Sequence, residues 1–173
     1  MVKLGAHADQ MNKKKEIKIE LFSVTDGEVI AIEDVADPVF SEKMMGDGFA
    51  MEPTSEIVLA PVTGQLFQVA DTLHAYGILT EEGIEVLIHV GLDTVTLRGE
   101  GFTSSLRRGM LIKQGEPLVQ MDRDYLISRG CELTISVVVI NGSSDLYHYE
   151  LNKEEHAVAG KTLALTVFKS KEK

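Results

Sequence analysis

The chain has 173 residues, 44% hydrophobic and 25% charged, with a mean hydropathy of +0.03, ordinary usage for one globular domain with a real core. Its net charge of −10 and pI near 4.9 set it against nucleic-acid phosphates and favour basic partners. No apolar run approaches the ~20 residues of a membrane helix, "MVKLGAHADQMNKKKEIK" lacks the apolar stretch of a secretory signal, and the single cysteine, Cys131, excludes an internal disulfide, so a cytoplasmic protein without membrane insertion is expected.

Residues 1–15, with His7 and Lys13–Lys15, are polar and aperiodic and are expected to be a flexible arm, leaving 16–173 as a single domain. From Ile17 onward, "IKIELFSV", "EVIAI", "EIVLA", "QLFQV", "IEVLIHV", "LTISVVVI" and "LALTVF" are strand-length runs separated by glycines. Many short strands with turn signals between them predict an all-β fold, an antiparallel sandwich or barrel with little helix. One modest helix is expected, near "FSEKMM" or around "MDRDYLISRG". The glycines of "GDGF" (46–49) and "GEGF" (99–102) are read as turns. An internal echo runs through the chain: "DGEVIAIEDVADPVF" and "TGQLFQVADTLHAYG" share a gapless pattern at an offset of 37 residues, Gly27 falling on Gly64 and Ile32 on Val69. It predicts two similar β-units in one core.

The stretch "LHAYGILTEEGIEVLIHVG" (73–91) reads as a hairpin around an acidic turn. An even-length loop pairs positions summing to 163, which sets His74 opposite His89. Cross-strand partners share a face with Cβ atoms about 4.5–5.5 Å apart, close enough for two imidazoles to hold one small tetrahedral group. An odd-length loop would shift the register by one and separate them. Under the even pairing, Ile84, Val86, Ile88 and Val90 join Leu73, Ala75 and Leu79 on a core face. Thr72, His74, Tyr76, Leu87 and His89 take the other.

Several chemistries fit two such histidines. A zinc hydrolase needs three or four ligands, and Asp93 could supply a third, but no His-x-His pair completes the set. No G-x-S-x-G elbow supports a Ser–His–Asp plan, and no P-loop is present. What remains is a histidine acting as a nucleophile toward phosphorus, neutral at cytosolic pH given an unperturbed pKa of about 6.5. Cys131 is expected as buried filler, and Tyr147, His148 and His156 as surface residues.

The blocks "EVLIHVGLDTVTLRGEGF" (85–102), "IEDVADPVFSEKMMGDGFAM" (32–51), "APVTGQL" (60–66) and "TLHAYGI" (72–78) together resemble the glucose-type enzyme IIA of the bacterial phosphoenolpyruvate-dependent sugar phosphotransferase system, over roughly residues 20–168. The resemblance implies a compact antiparallel sandwich of duplicated units and a phosphocarrier function, with no required cofactor. It places His89 at the phospho-acceptor, His74 at the histidine that stabilises the phosphoryl group, and Thr72 at a hydroxyl that hydrogen-bonds within the site. It implies that the phosphorylated histidine-containing carrier protein is the donor and a cysteine of a sugar permease IIB domain the acceptor. Val39, Phe40, Met44, Met45, Leu87 and Val95 form the expected apolar collar and partner surface. Asp37 and Asp93 match positions that meet an arginine of the carrier.

The arm lacks the apolar face of the membrane-associating segment that some relatives carry. No IIB or IIC portion is attached, so a monomeric, free-standing IIA or one cut from a larger permease is expected. The resemblance also admits a second role, a regulatory module whose dephospho form docks on transporters or metabolic enzymes such as kinases. His74 and His89 would then help hold zinc at that interface.

Overall fold

The computed structural model describes residues 16–171; the expected arm, with His7 and Lys13–Lys15, lies outside them. Fourteen strands form among the described residues: β1 (Glu16–Phe22), β2 (Gly27–Ala31), β3 (Asp47–Pro53), β4 (Ile57–Leu59), β5 (Gly64–Val69), β6 (Ala75–Leu79), β7 (Glu85–Leu92), β8 (Phe102–Thr103), β9 (Leu111–Ile112), β10 (Pro117–Met121), β11 (Glu132–Val139), β12 (Tyr147–Leu151), β13 (Glu154–Ala157) and β14 (Leu163–Ser170). Both stretches proposed for helix form one: α1 (Pro38–Ser41) and α2 (Arg123–Ser128). Each begins at an aspartate cap. The Asp37 carboxylate accepts the Val39 N–H at 3.0 Å, with Pro38 at the first helical position, and Asp122 accepts from Tyr125.

The strands make an eight-stranded sheet, ordered β13-β2-β3-β11-β7-β6-β5-β9, and two three-stranded sheets, β1-β14-β12 and β4-β10-β8. The fold is an antiparallel β-sandwich. The large sheet mirrors itself about its central pair, β11 and β7, with the β2-β3 unit on one side and the β6-β5 unit on the other. The 37-residue echo is this symmetry, since Gly27 opens β2 and Gly64 opens β5.

The large sheet is covered on both faces. On one face Phe49, Met51, Val86, Ile88, Val90, Ile135, Val137 and Val139 enter the main core with Leu21, Leu165 and Met121. On the other, Ala50, Leu87 and Val138 meet Ile32, Val35 and Phe40 in a smaller cluster. A strand buried on both faces reads as a continuous apolar run rather than an alternation, which is why "EVLIHVGL" is so conspicuous. The segment 32–45 therefore lids the face of β7 that carries His89.

One turn assignment is corrected. Gly48 of "GDGF" lies within β3, where a Cβ would come within 1.9 Å of the Val137 carbonyl oxygen on β11. That glycine marks a close approach of two central strands, not a break between them. The glycines of "GEGF" do turn the chain, Gly99 and Gly101 both having positive φ.

Candidate functional site

The β6–β7 register differs from the sequence expectation by one residue. Ala75, not His74, pairs with His89, followed by Tyr76 with Ile88, Gly77 with Leu87 and Ile78 with Val86. The cause is the loop. Thr80 and Ile84 close it, the Thr80 N–H donating to the Ile84 carbonyl at 2.9 Å, around Glu81, Glu82 and Gly83. Gly83 sits at φ 87°, the left-handed position that ends three-residue hairpin loops. An odd loop turns Tyr76 from the histidine face into the main core, where it is fully buried. Ala75 and Leu87 go to the smaller cluster beneath the site.

The histidines nevertheless meet. Strand β6 starts only at Ala75, and Leu73 just before His74 adopts φ 59°. The Tyr76 hydroxyl, its pKa pushed up to about 12 by burial, donates to the Leu73 carbonyl at 2.9 Å and pins that turn. The His74 ring thereby escapes strand alternation and lies edge-on to His89, centroids 5.0 Å apart and planes at 81°. Phe40 of α1 flanks the same imidazole at 5.1 Å. Beside His89 on the sheet stand only small side chains, Ala75 on β6 and Ser136 on β11 with Ala50 beyond it. They leave room around the ring.

Hydrogen bonds decide which nitrogens are free. His89 Nδ1 lies 2.9 Å from the Gly91 carbonyl; a carbonyl only accepts, so Nδ1 carries the proton and Nε2 an open lone pair in the neutral ring. His74 Nδ1 lies 2.6 Å from the Thr72 hydroxyl. With Thr72 donating, His74 Nε2 is an N–H donor. The pair thus offers a nucleophile and a hydrogen-bond donor.

Burial lowers the pKa of both rings, aided at His74 by the charge of His89; the Gly91 hydrogen bond and the Asp37 carboxylate partly counter it at His89. Both are neutral at pH 7. The unfolded chain takes up protons near the ordinary value of 6.5 while the folded rings still resist them. The associated stability is therefore complete above that pH and declines as the pH falls below it. Phosphoryl uptake should be flat from pH 8 to about 6.5 and fall only at lower pH, with the thermal midpoint falling alongside it; a pH–rate profile that declines from pH 7.5 contradicts a neutral acceptor.

The other proposed residues divide by exposure. Val39, Met44, Met45 and Val95 are exposed, at 39, 71, 38 and 51%, as apolar side chains of a proposed rim would be. Phe40 and Leu87 are buried, at 4 and 5%. They pack with Ile32, Val35 and Val138 in the smaller cluster and so expose little area to a docking protein. Asp37 faces His89 electrostatically while capping α1. Asp93 is exposed at φ 61° and its charge bears on the Cys131 thiol.

No group of three or more His, Cys, Asp or Glu among the described residues is disposed to hold a metal ion. Asp93 therefore does not stand with His74 and His89 in a three-ligand group. Cys131 is half-buried against the core, and His148 and His156 are exposed. Tyr147 departs from expectation. It packs against the core, stacked on Tyr149 at 6.3 Å with the Lys169 ammonium 5.8 Å from its ring.

Sequence reasoning missed Gly91 as a working part of the site. Its φ is 79°, and a Cβ there would lie 2.5 Å from Thr94 Cγ2 and 3.1 Å from the Glu132 carbonyl. The Thr94 hydroxyl donates to the Val90 carbonyl at 2.6 Å and closes the same turn. The only signal was a glycine two positions after His89. Gly91→Ala should cost about 2–4 kcal/mol in a denaturant titration and disturb the imidazole nitrogen shifts of His89; an unchanged His89 tautomer in a destabilised protein would show that the carbonyl does not set it.

Known proteins were compared with this chain. The family model for the phosphoenolpyruvate-dependent sugar phosphotransferase system, EIIA 1, matches residues 19–145. The glucose-specific EIICBA component of Streptococcus pneumoniae is 46% identical over 130 residues, 75% of this chain but 18% of that protein. The glucose-specific EIIA component of Halalkalibacterium halodurans is 41% identical, covering 85% of this chain and 84% of its own. The structure of glucose permease IIA from Mycoplasma capricolum superposes with a TM-score of 0.75 at 32% identity, over 87% of this chain and 96% of that one. Over the whole span of strands that builds the histidine site, the chain belongs to the EIIA family of the phosphoenolpyruvate-dependent sugar phosphotransferase system.

Proposed function

We propose that this phosphotransferase component carries the phosphoryl group on Nε2 of His89, with His74 as its stabilising donor and Thr72 as the residue that orients His74. One observation carries the reading: each ring commits Nδ1 to a different partner, which leaves the Nε2 atoms of two rings with centroids 5.0 Å apart without a hydrogen-bond partner among the described residues. The His89 lone pair attacks phosphorus, the P–N bond of the donor's phosphohistidine breaks, and its electron pair returns to the donor ring. Phosphoryl transfer asks a protein mainly for positioning and charge stabilisation. His74 Nε2–H supplies a donor to an equatorial oxygen, and the floor of Phe40 and Leu87 keeps water from the labile P–N bond.

Membership of the family implies exchange with the histidine-containing phosphocarrier protein and with a IIB domain, and the Streptococcus relative is named as an EIICBA component, A together with B and C. We take residues 16–173 as one IIA unit. Val39, Met44, Met45 and Val95 supply its apolar contacts, and Asp37 and Asp93 its attraction for a cationic partner. Among the described residues no helix is long and apolar enough to cross a membrane, which fits work in the cytoplasm. The test is reconstitution with phosphoenolpyruvate, the general phosphotransferase proteins and candidate IIB domains, measuring label passed to the IIB cysteine; no transfer to any of them removes the carrier assignment.

A regulatory role rests on the same pair. Two imidazole nitrogens make half of a tetrahedral zinc site, and with no third ligand beside them among the described residues a docked protein would supply the remainder. Zinc-dependent capture of a transporter or kinase by the dephospho form supports this role, and capture unaffected by a chelator removes zinc from it.

A further inference from the structure

Two adjacent methionines stand out on the rim. Met44 is the most exposed large apolar residue there, at 71%, and Met45 is beside it. They follow α1 through Lys43 at φ 58°, with the Met44 N–H donating to the Val39 carbonyl at 3.1 Å. Met44 is thus tied back to a helix whose Phe40 touches the His89 ring. A thioether here is soft, flexible contact area, and it is also oxidisable. Most of the remaining sulfurs among the described residues are poorer targets. Met51 and Met121 are fully buried, and the half-buried Cys131 thiol is held above its usual pKa by desolvation and the Asp93 charge, so little of it is the reactive thiolate. Among the described residues only Met110, in a loop preceding the edge strand β9, is comparably exposed.

We propose that Met44 and Met45 are a reversible oxidation site through which peroxide weakens docking of the phosphoryl donor. The inference rests on the reading of this rim as the docking face. A sulfur lone pair attacks a peroxide oxygen, the O–O bond breaks, an S–O bond forms and water leaves; sulfur is oxidised by two electrons and peroxide reduced. Each event places a strongly polar sulfoxide where the partner requires an apolar surface, and burying it without a partner hydrogen bond disfavours the complex. His89, His74 and their hydrogen bonds are untouched, so the chemical step persists while association weakens.

The experiment treats the full chain with hydrogen peroxide, maps oxygen addition by peptide mass spectrometry, and measures labelling of His89 by the phosphorylated carrier protein. Of the methionines within residues 16–171, Met44 should oxidise first, Met45 and Met110 later, Met51 and Met121 last. KM for the carrier should rise about fivefold or more with kcat little changed, and methionine sulfoxide reductase should restore it. The Met44→Leu/Met45→Leu protein, whatever its starting KM, should show no further change on oxidation, whereas Met110→Leu and Cys131→Ser proteins should remain sensitive. An unchanged KM after full oxidation of both residues overturns the proposal, as does an equal rise in the Met44→Leu/Met45→Leu protein. If the untreated chain takes no label on His89, the reading of the site has failed instead.

Discussion

Replacing His89 by alanine should reduce labelling from phosphoenolpyruvate and the general phosphotransferase proteins by on the order of a thousandfold or more, to background. No neighbouring group can substitute. His74 holds its Nδ1 against Thr72, and in the neutral tautomer that makes it useful its Nε2 carries a proton rather than a lone pair. The substitution leaves space beside Phe40 but removes no β-sheet hydrogen bond, so circular dichroism should report an intact sandwich. Labelling at the wild-type rate in a folded His89→Ala protein would move the phosphoryl group to another residue.

His74→Gln should separate acceptance from delivery. His89 keeps its Gly91 hydrogen bond and its bare Nε2, so it still takes the phosphoryl group from a well-positioned donor. Onward transfer to a IIB cysteine should slow by roughly 10²-fold, the usual effect of removing one donor aimed at developing charge. An amide can donate a hydrogen bond, but its orientation is not set through Thr72 as the imidazole's is. Single-turnover delivery at the wild-type rate would show that His74 is dispensable. Thr72→Val would then be uninformative; if His74 matters, it should give a weaker version of the same defect.

The two histidines that the structure brings together were legible before any coordinates, because the types and spacing that make His89 and His74 recognisable lie within 19 consecutive positions, 73–91. The two strands at the middle of the large sheet, β7 and β11, were also legible. Where both faces of a strand are covered, the apolar run is long and β-branched, as in β7 and β11. Less regular strands escaped. The run "DGFAMEP" of β3 carries a glycine and a proline, the glycine needed because β11 comes so close. The run "YHYEL" of β12 alternates half-buried with exposed residues on the outside of a small sheet and so lacks a core signature. In both cases the decisive neighbour is distant in sequence.

The β6–β7 register differs by one residue from the one expected, yet the rings meet. An even loop would have aligned His74 with His89 across the ribbon; the odd loop around Gly83 did not. The structure recovered the pair through Leu73, whose left-handed backbone is held by the hydroxyl of Tyr76 from within the main core. No local pattern forecasts that recovery, because Tyr76 reaches the core only after the register has slipped.

Residue chemistry, strand character and the duplicated plan follow from the amino-acid order alone, since each is written in side chains a few positions apart. Which partner each Nδ1 meets, and which apolar residues near the histidines are buried and which exposed, were decided only by the folded chain. Those outcomes turn on single hydrogen bonds of about 1 kcal/mol, such as His89 to Gly91, and on how the 32–45 segment lies across a sheet whose strands come from the entire sequence.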